Sequence, residues 1–195
     1  ECGLITTSNE TASHGNQKIC SIAQYKVFLD FERTQQNKDK FNTSLRVGQY
    51  SSFEVSPTCG LANKNSVIGI LDDNRFFNHS DRFDAEILWF AKGFVEYTIP
   101  NLIPAQNKIE LIAISMELSS EAPGINNNWP SDINFFINDI FLGYCTSPGD
   151  FGATKGIFTP NWWSPNLNQY GLLKILVIGA DGTYIDGTKI SDISC

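Results

Sequence analysis

Asp132-Ile-Asn-Phe-Phe-Ile-Asn-Asp-Ile-Phe-Leu-Gly143 is the stretch that decides the fold. Two short apolar runs, Asp132–Ile137 and Ile140–Gly143, flank the dipeptide Asn138-Asp139. A two-residue hairpin turn needs positive φ at its centre, and Asn and Asp tolerate that better than other non-glycine residues. The stretch therefore predicts a tight β-hairpin. Its surroundings carry the same signature. Upstream, Ile109–Leu118 is apolar on both faces and reads as a central strand. Downstream, Leu172–Ile178, Tyr184-Ile185 and Lys189–Ile193 read as strands separated by turns at Gly179–Gly182 and Asp186-Gly187.

The N-terminal half continues the pattern. Residues 49–56 read as a strand that Pro57 ends, and Ser66–Leu71 is a short apolar run. Asp72–Asp84 is a charged loop with room for a brief helix. Ala85–Phe90 and Phe94–Ile99 read as two strands joined by a turn at Lys92-Gly93. Tyr25–Phe31 alternates, with Tyr25, Val27, Leu29 and Phe31 on one face, and Gln35–Lys40 is a solvated turn. Strands recur every 8–15 residues or so and no long amphipathic helix intervenes. The expected fold is all-β, an antiparallel β-sandwich of jelly-roll (galactose-binding-like) type. Residues 25–195 form that sandwich. Residues 1–24, polar and rich in Ser, Thr, Asn and Gly, form a separate hairpin or linker.

Composition agrees. The 195 residues suffice for one substantial core, and 14 Phe against one Met favour strands. A net charge of −7 repels phosphate, so these residues alone make a poor nucleic-acid ligand. No stretch of some 18 apolar residues suggests a membrane span. Five cysteines without a C-x-x-C spacing point to neither a disulfide framework nor a zinc site. They read as reduced thiols in a cytoplasmic protein. The three N-x-[ST] sequons at Asn9, Asn42 and Asn78 carry no weight, since 18 Asn and 29 Ser plus Thr give roughly three by chance.

Function is read from Ser119–Leu173, where Trp129, Trp162 and Trp163 stand among Pro, Gly, Asp and Asn. Aromatic rings in polar, turn-rich loops suit a binding rim. Trp162-Trp163 offer flat faces that stack on sugar rings, or else plug one end of the sandwich. Asp150, in the turn Ser147–Gly152, either accepts hydroxyl groups of a polyol or caps its own turn. Asp132 is similar. Glu121 ends the long strand, and Gln169 and Tyr170 add a hydrogen-bonding group and a wall. No Ser-His-Asp elbow, phosphate loop, dinucleotide motif or His/Cys cluster appears, so neither enzyme activity, cofactor nor metal is expected.

Two separated regions carry a family resemblance. The first is GLITT…GNQKICS…YKVFLDF, within residues 3–31. The second comprises SEAPG (120–124), WPSDI (129–133), TSPGDFG (146–152), TPNWW (159–163), QYGLLK (169–174) and GTYIDGTKISD (182–192). With PTCGL (57–61), IGILDD (68–73) and ILWFAKGFVEYTIPNLIP (87–104), the chain resembles the C-terminal regulatory domain of bacterial ArsR-like winged-helix transcriptional regulators. The resemblance implies that residues 1–24 are the wing of a winged helix whose helix-turn-helix is mostly absent from these residues. His14, Asn16 and Lys18 would be the wing's DNA contacts. It implies operator DNA as partner through that missing head, a homodimer, and a small effector bound by the sandwich. The Asp132–Gly143 hairpin also resembles the sugar-binding jelly-roll domains attached to glycosidases, so a saccharide-like effector is expected. A carbohydrate-binding module of a secreted protein is the alternative, and a glycosidase a lesser one.

Overall fold

A computed structural model describes residues 5–12, 15–22 and 40–195. They fall into two compact units, 1–40 and 41–195. In the first, β1 (Ile5–Ala12) pairs antiparallel with β2 (Gly15–Ile22), in unbroken register from Ile5 opposite Ile22 to Ala12 opposite Gly15. The strand expected at Tyr25–Phe31 lies outside the described residues.

The second unit is all-β apart from two single-turn 3-10 helices, Asn74–Asn78 and Ser80–Asp84. Its strands are β3 (Ser52–Ala62), β4 (Ile87–Glu96), β5 (Ile112–Leu118), β6 (Ser131–Ile137), β7 (Ile140–Ser147), β8 (Leu172–Gly179), β9 (Gly182–Ile185) and β10 (Thr188–Ser191). They form three separate antiparallel sheets: β3 with β4, β6 with β7, and a four-stranded sheet in the order β10-β9-β8-β5. The turns behave as their residues demand. Asn138 and Asp139 both take positive φ (48° and 63°), as do Asp186 and Gly187 (48° and 82°). This is the geometry whose twist matches two flanking strands.

The hairpin β6–β7 packs on the four-stranded sheet. Phe135 and Leu142 from the hairpin meet Leu176, Ile178 and Ile185 from the sheet, all buried. Strand β5 shows the alternation that such a face requires: Ile112, Ile114, Met116 and Leu118 turn inward, while Ala113, Ser115 and Glu117 are exposed. Expected as a central strand, β5 instead pairs with β8 alone.

A second core lies under β3 and β4. Tyr50, Val55, Cys59, Leu61, Ile68, Phe77 and Ala85 are buried together. Here two sequence expectations fail. Strand β3 does not stop at Pro57 but continues to Ala62, with its register to β4 slipping between Ser56 and Cys59. A slipped register leaves unpaired positions in which a residue without an N–H is tolerated. Lys92-Gly93 is not a turn either, because β4 runs straight through it. Gly93 takes φ +133°, and a Cβ there would stand 1.8 Å from the Glu54 carbonyl oxygen. The glycine marks close backbone approach within the β3–β4 pair.

Candidate functional site

The expected site residues divide into two groups and two outliers. Trp129 is 42 % exposed and its backbone N–H bonds to the Pro148 carbonyl. Asp132 sits on β6, where its Oδ1 accepts from Thr146 Oγ1 across the hairpin at 2.6 Å. Neither shares a cavity with the remaining six.

The first group is Glu121 and Asp150. Asp150 is 1 % exposed, so it is no surface acceptor for a polyol. Its Oδ2 accepts from the Ala122 amide at 3.3 Å, tying the loop after β5 to the loop after β7. Its Oδ1 is sealed and has no partner. Burial therefore pushes the Asp150 carboxyl up, partly opposed by the Ala122 amide. Glu121 is raised further, to about 7, first by burial and then by the charge of Asp150. Thr58 Oγ1 from β3, 3.4 Å from Glu121 Oε1, works weakly against this. The pair is a locked joint with one carboxyl partly open.

Of the other four, Trp163 and Gln169 line a cleft of about 360 Å³, and Trp162 and Tyr170 do not. Trp163, half-buried, forms one wall, with Gln169, Asn161 and Lys155 beside it. The Trp163 Nε1 is used on the Asn168 carbonyl at 2.8 Å, so the indole offers the cleft an apolar surface only. Gln169 is 8 % exposed and its Nε2 donates to the Ser164 and Leu167 carbonyls. Gln169 lines the cleft, and its Oε1 has no protein donor among the described residues. Tyr170 lies behind, stacked on Phe151 with ring centres 5.5 Å apart.

The two tryptophans also tie the loop between β7 and β8 to the β3–β4 side of the molecule. Trp162 Nε1 donates to the Lys64 carbonyl at 2.9 Å, and Trp163 meets Trp89 of β4 edge to face at 5.7 Å. Gly60 makes room for that ring, since a Cβ there would come within 2.2 Å of Trp89. Trp162 and Trp163 thus form the seam between the β7–β8 loop and the β3–β4 pair.

Lys155, Asn161 and Trp89 were not anticipated from sequence. A usable signal existed for one of them: Lys155 is the only cationic residue between Cys145 and Leu173. A second, larger hollow of about 420 Å³ is lined by Arg75, Phe76, Asn78 and His79. Arg75 is paired with Asp73 at 2.6 Å, and His79 Nδ1 accepts from the Asp81 amide.

Of the wing contacts implied by the resemblance, Asn16 and Lys18 lie on β2, and His14 lies outside the described residues. Comparison of the chain with protein-family models, curated proteins and solved structures finds no match. Among the described residues no helix is long and apolar enough to cross a membrane, and no group of three or more His, Cys, Asp or Glu is placed to hold a metal.

Proposed function

We propose that the unit formed by residues 41–195 binds a small polyhydroxylated, saccharide-like molecule in the Trp163 cleft. In this reading it acts as the effector-sensing domain of a cytoplasmic winged-helix transcriptional regulator. One observation carries it: an indole with its N–H already used, the Gln169 amide and the Lys155–Asn161 pair line one hollow. Sugars present exactly opposed needs, an apolar C–H face and a rim of hydroxyls, and such sites combine aromatic walls with a few polar groups.

The seam supplies a route from ligand to response. Trp163 touches both the cleft and Trp89 of β4. A ligand that prefers one placement of that indole biases the packing of the β3–β4 pair on the β7–β8 loop. Coupling of about 1–3 kcal/mol shifts operator occupancy roughly 5- to 150-fold. The regular β1–β2 hairpin supports the wing assignment. The same cleft would serve a carbohydrate-binding module of a secreted protein. The free thiols of Cys59, Cys145 and Cys195 favour a reducing compartment and with it the regulator.

A thermal-shift screen of mono- and oligosaccharides tests the reading. A sugar that binds only the native state adds about 2.7 kcal/mol at 100 times its Kd. Asn161→Ala removes the shift and Trp129→Ala, outside the cleft, keeps it. A panel that leaves the melting curve unmoved, or moves it equally in Asn161→Ala, overturns the proposal. For the regulator, operator binding by the winged-helix protein must change with the same sugar.

A further inference from the structure

The charge inside the cleft is unlike that of the molecule around it. The chain carries −7, yet no carboxylate lines the hollow and its one charged side chain is Lys155. Among the described residues no carboxylate pairs with Lys155, whereas two other lysines are paired. Lys174 and Lys189 each hold a carboxylate at 2.8 Å, from Asp186 and Asp192. Lys155 Nζ instead donates to the neutral Asn161 Oδ1 at 2.7 Å, which aims the ammonium without cancelling its charge.

The backbone under Lys155 is held firmly. A Cβ on Gly156 would lie 2.2 Å from the Gln169 carbonyl, so the loop runs against that strand-like segment. Thr159 clamps it from the other side, donating its amide to the Gly156 carbonyl at 3.3 Å and its hydroxyl to the Gln169 carbonyl. A cation mounted in this way, beside an apolar indole and an amide oxygen without a protein donor, complements a ring that bears both hydroxyls and an anion.

We propose that the cleft selects anionic sugars: a pyranose carrying a carboxylate or phosphate, with the anion on Lys155 Nζ, the ring against Trp163 and a hydroxyl on Gln169 Oε1. The proposal rests on the reading of the cleft as a saccharide site and adds the ligand's charge. Neutral hexoses fit the hollow but leave the ammonium unanswered. Amino sugars place like charge against it.

The test is calorimetric titration of the whole chain with matched sets: glucose, galactose and mannose, their uronates, their 6-phosphates and their 2-amino forms. At low salt the best uronate or phosphate binds roughly two- to fivefold tighter than its neutral parent, the ratio expected of one solvent-accessible charge pair. Half-molar NaCl shrinks that ratio, because the pair is screened over about 4 Å. Lys155→Met brings it to about one, and Lys155→Arg restores it. The uronate and phosphate arms identify which anion is preferred. A neutral or amino sugar that binds as well as its anionic partner overturns the charge assignment and leaves the saccharide site standing. Absence of binding across all four sets overturns both.

Discussion

The two cores of residues 41–195 are built by different chemistry. The core between the β6–β7 hairpin and the four-stranded sheet is aliphatic: Leu142, Leu176, Ile178 and Ile185 interlock, with Phe135 its one buried ring. The core under β3 and β4 is aromatic and polar-stapled. Tyr50 packs edge to face on Phe53 and against Phe77, while its hydroxyl donates to the Phe77 carbonyl at 2.6 Å. Tyr97 donates in the same way to the Val47 carbonyl. Arg82 donates to the Gly48 and Tyr50 carbonyls at 2.7 Å and lies 4.4 Å above the Tyr50 ring. A four-stranded sheet with a hairpin on top closes its core mainly by packing, with the buried Thr183 hydroxyl bonded to the Ile193 carbonyl at 2.7 Å. A two-stranded sheet has too little area for that and ties its loops down by hydrogen bonds.

The contrast sets the order of stability losses. Phe77 is fully buried in the aromatic core, and Phe77→Ala is expected to cost about 3–5 kcal/mol by cavity formation. Leu176→Ala, 3 % exposed in the aliphatic core, is expected to cost about 2–5 kcal/mol. Urea unfolding measures both, and hydrogen exchange locates them. Phe77→Ala should lower protection of β3 and β4 more than of β5 and β8, and Leu176→Ala the reverse. Equal loss everywhere in both variants would mean that the Trp162–Trp163 seam welds the cores into one cooperative unit.

Arg82→Met is the next step down. It leaves the Gly48 and Tyr50 carbonyls without their donor while keeping an apolar stem over the ring. The expected loss is about 2–3 kcal/mol, since buried groups deprived of a charged partner carry their desolvation penalty uncompensated. A loss below about 0.5 kcal/mol would show that the aromatic core holds its loops by packing and that the hydrogen bonds are incidental.

This difference also explains what sequence alone revealed. Strands β5, β6 and β8 were legible because burial alternates along them, and the hairpins because Asn138-Asp139 and Asp186-Gly187 announce their turns. The β3–β4 pair was not, because Pro57 and Lys92-Gly93 are local breakers overruled by a register slip and a close backbone approach. The site was half legible. Tryptophans in polar loops marked the seam, but which groups share a hollow depends on contacts far apart in sequence. Trp162 reaches Lys64 across 98 positions, and Glu121 reaches Thr58 across 63. Asp150 illustrates the limit: a polar residue in a Pro-Gly turn reads as exposed, yet the Asn126–Asn128 loop covers it, with the Asp150 amide bonded to the Asn126 carbonyl.

The joint between the cores carries an acid–base signature. Glu121 titrates near 7 in the folded chain and near the ordinary glutamate value when unfolded. Between those values the folded state retains a proton that the unfolded state has released, so stability falls as pH rises through that window. Asp150, raised by burial, adds a change of the same sign. Discounted for Glu121's partial exposure, the expected loss between pH 4.5 and 8 is about 1–2 kcal/mol. Glu121→Gln flattens it. Melting curves across that range check the sign, and a stability that rises through the window contradicts the shared burial of the two carboxyls.

The smallest effects come from one surface ion pair beside each core. Arg46–Asp84, at 3.0 Å, flanks the aromatic core with side chains 65 % and 73 % exposed. Arg46→Met is expected to change stability by less than about 0.5 kcal/mol, because solvent screens the pair and ordering two long side chains offsets the attraction. Lys174–Asp186, at 2.8 Å, flanks the aliphatic core and is more enclosed, at 22 % and 40 %. Asp186 also accepts from the Ile175 amide at 2.9 Å, and together with Lys174 this holds its carboxyl below the usual aspartate value. Its contribution is present above that usual value and is lost as pH falls toward strong acid, opposite in sign to that of Glu121. Asp186→Asn is therefore expected to cost more than Arg46→Met, about 1 kcal/mol at neutral pH and nothing near pH 2. If the two variants cost the same at both pH values, the Asp186 turn is held by its backbone conformation, and the aliphatic core owes as little to charge as its packing implies.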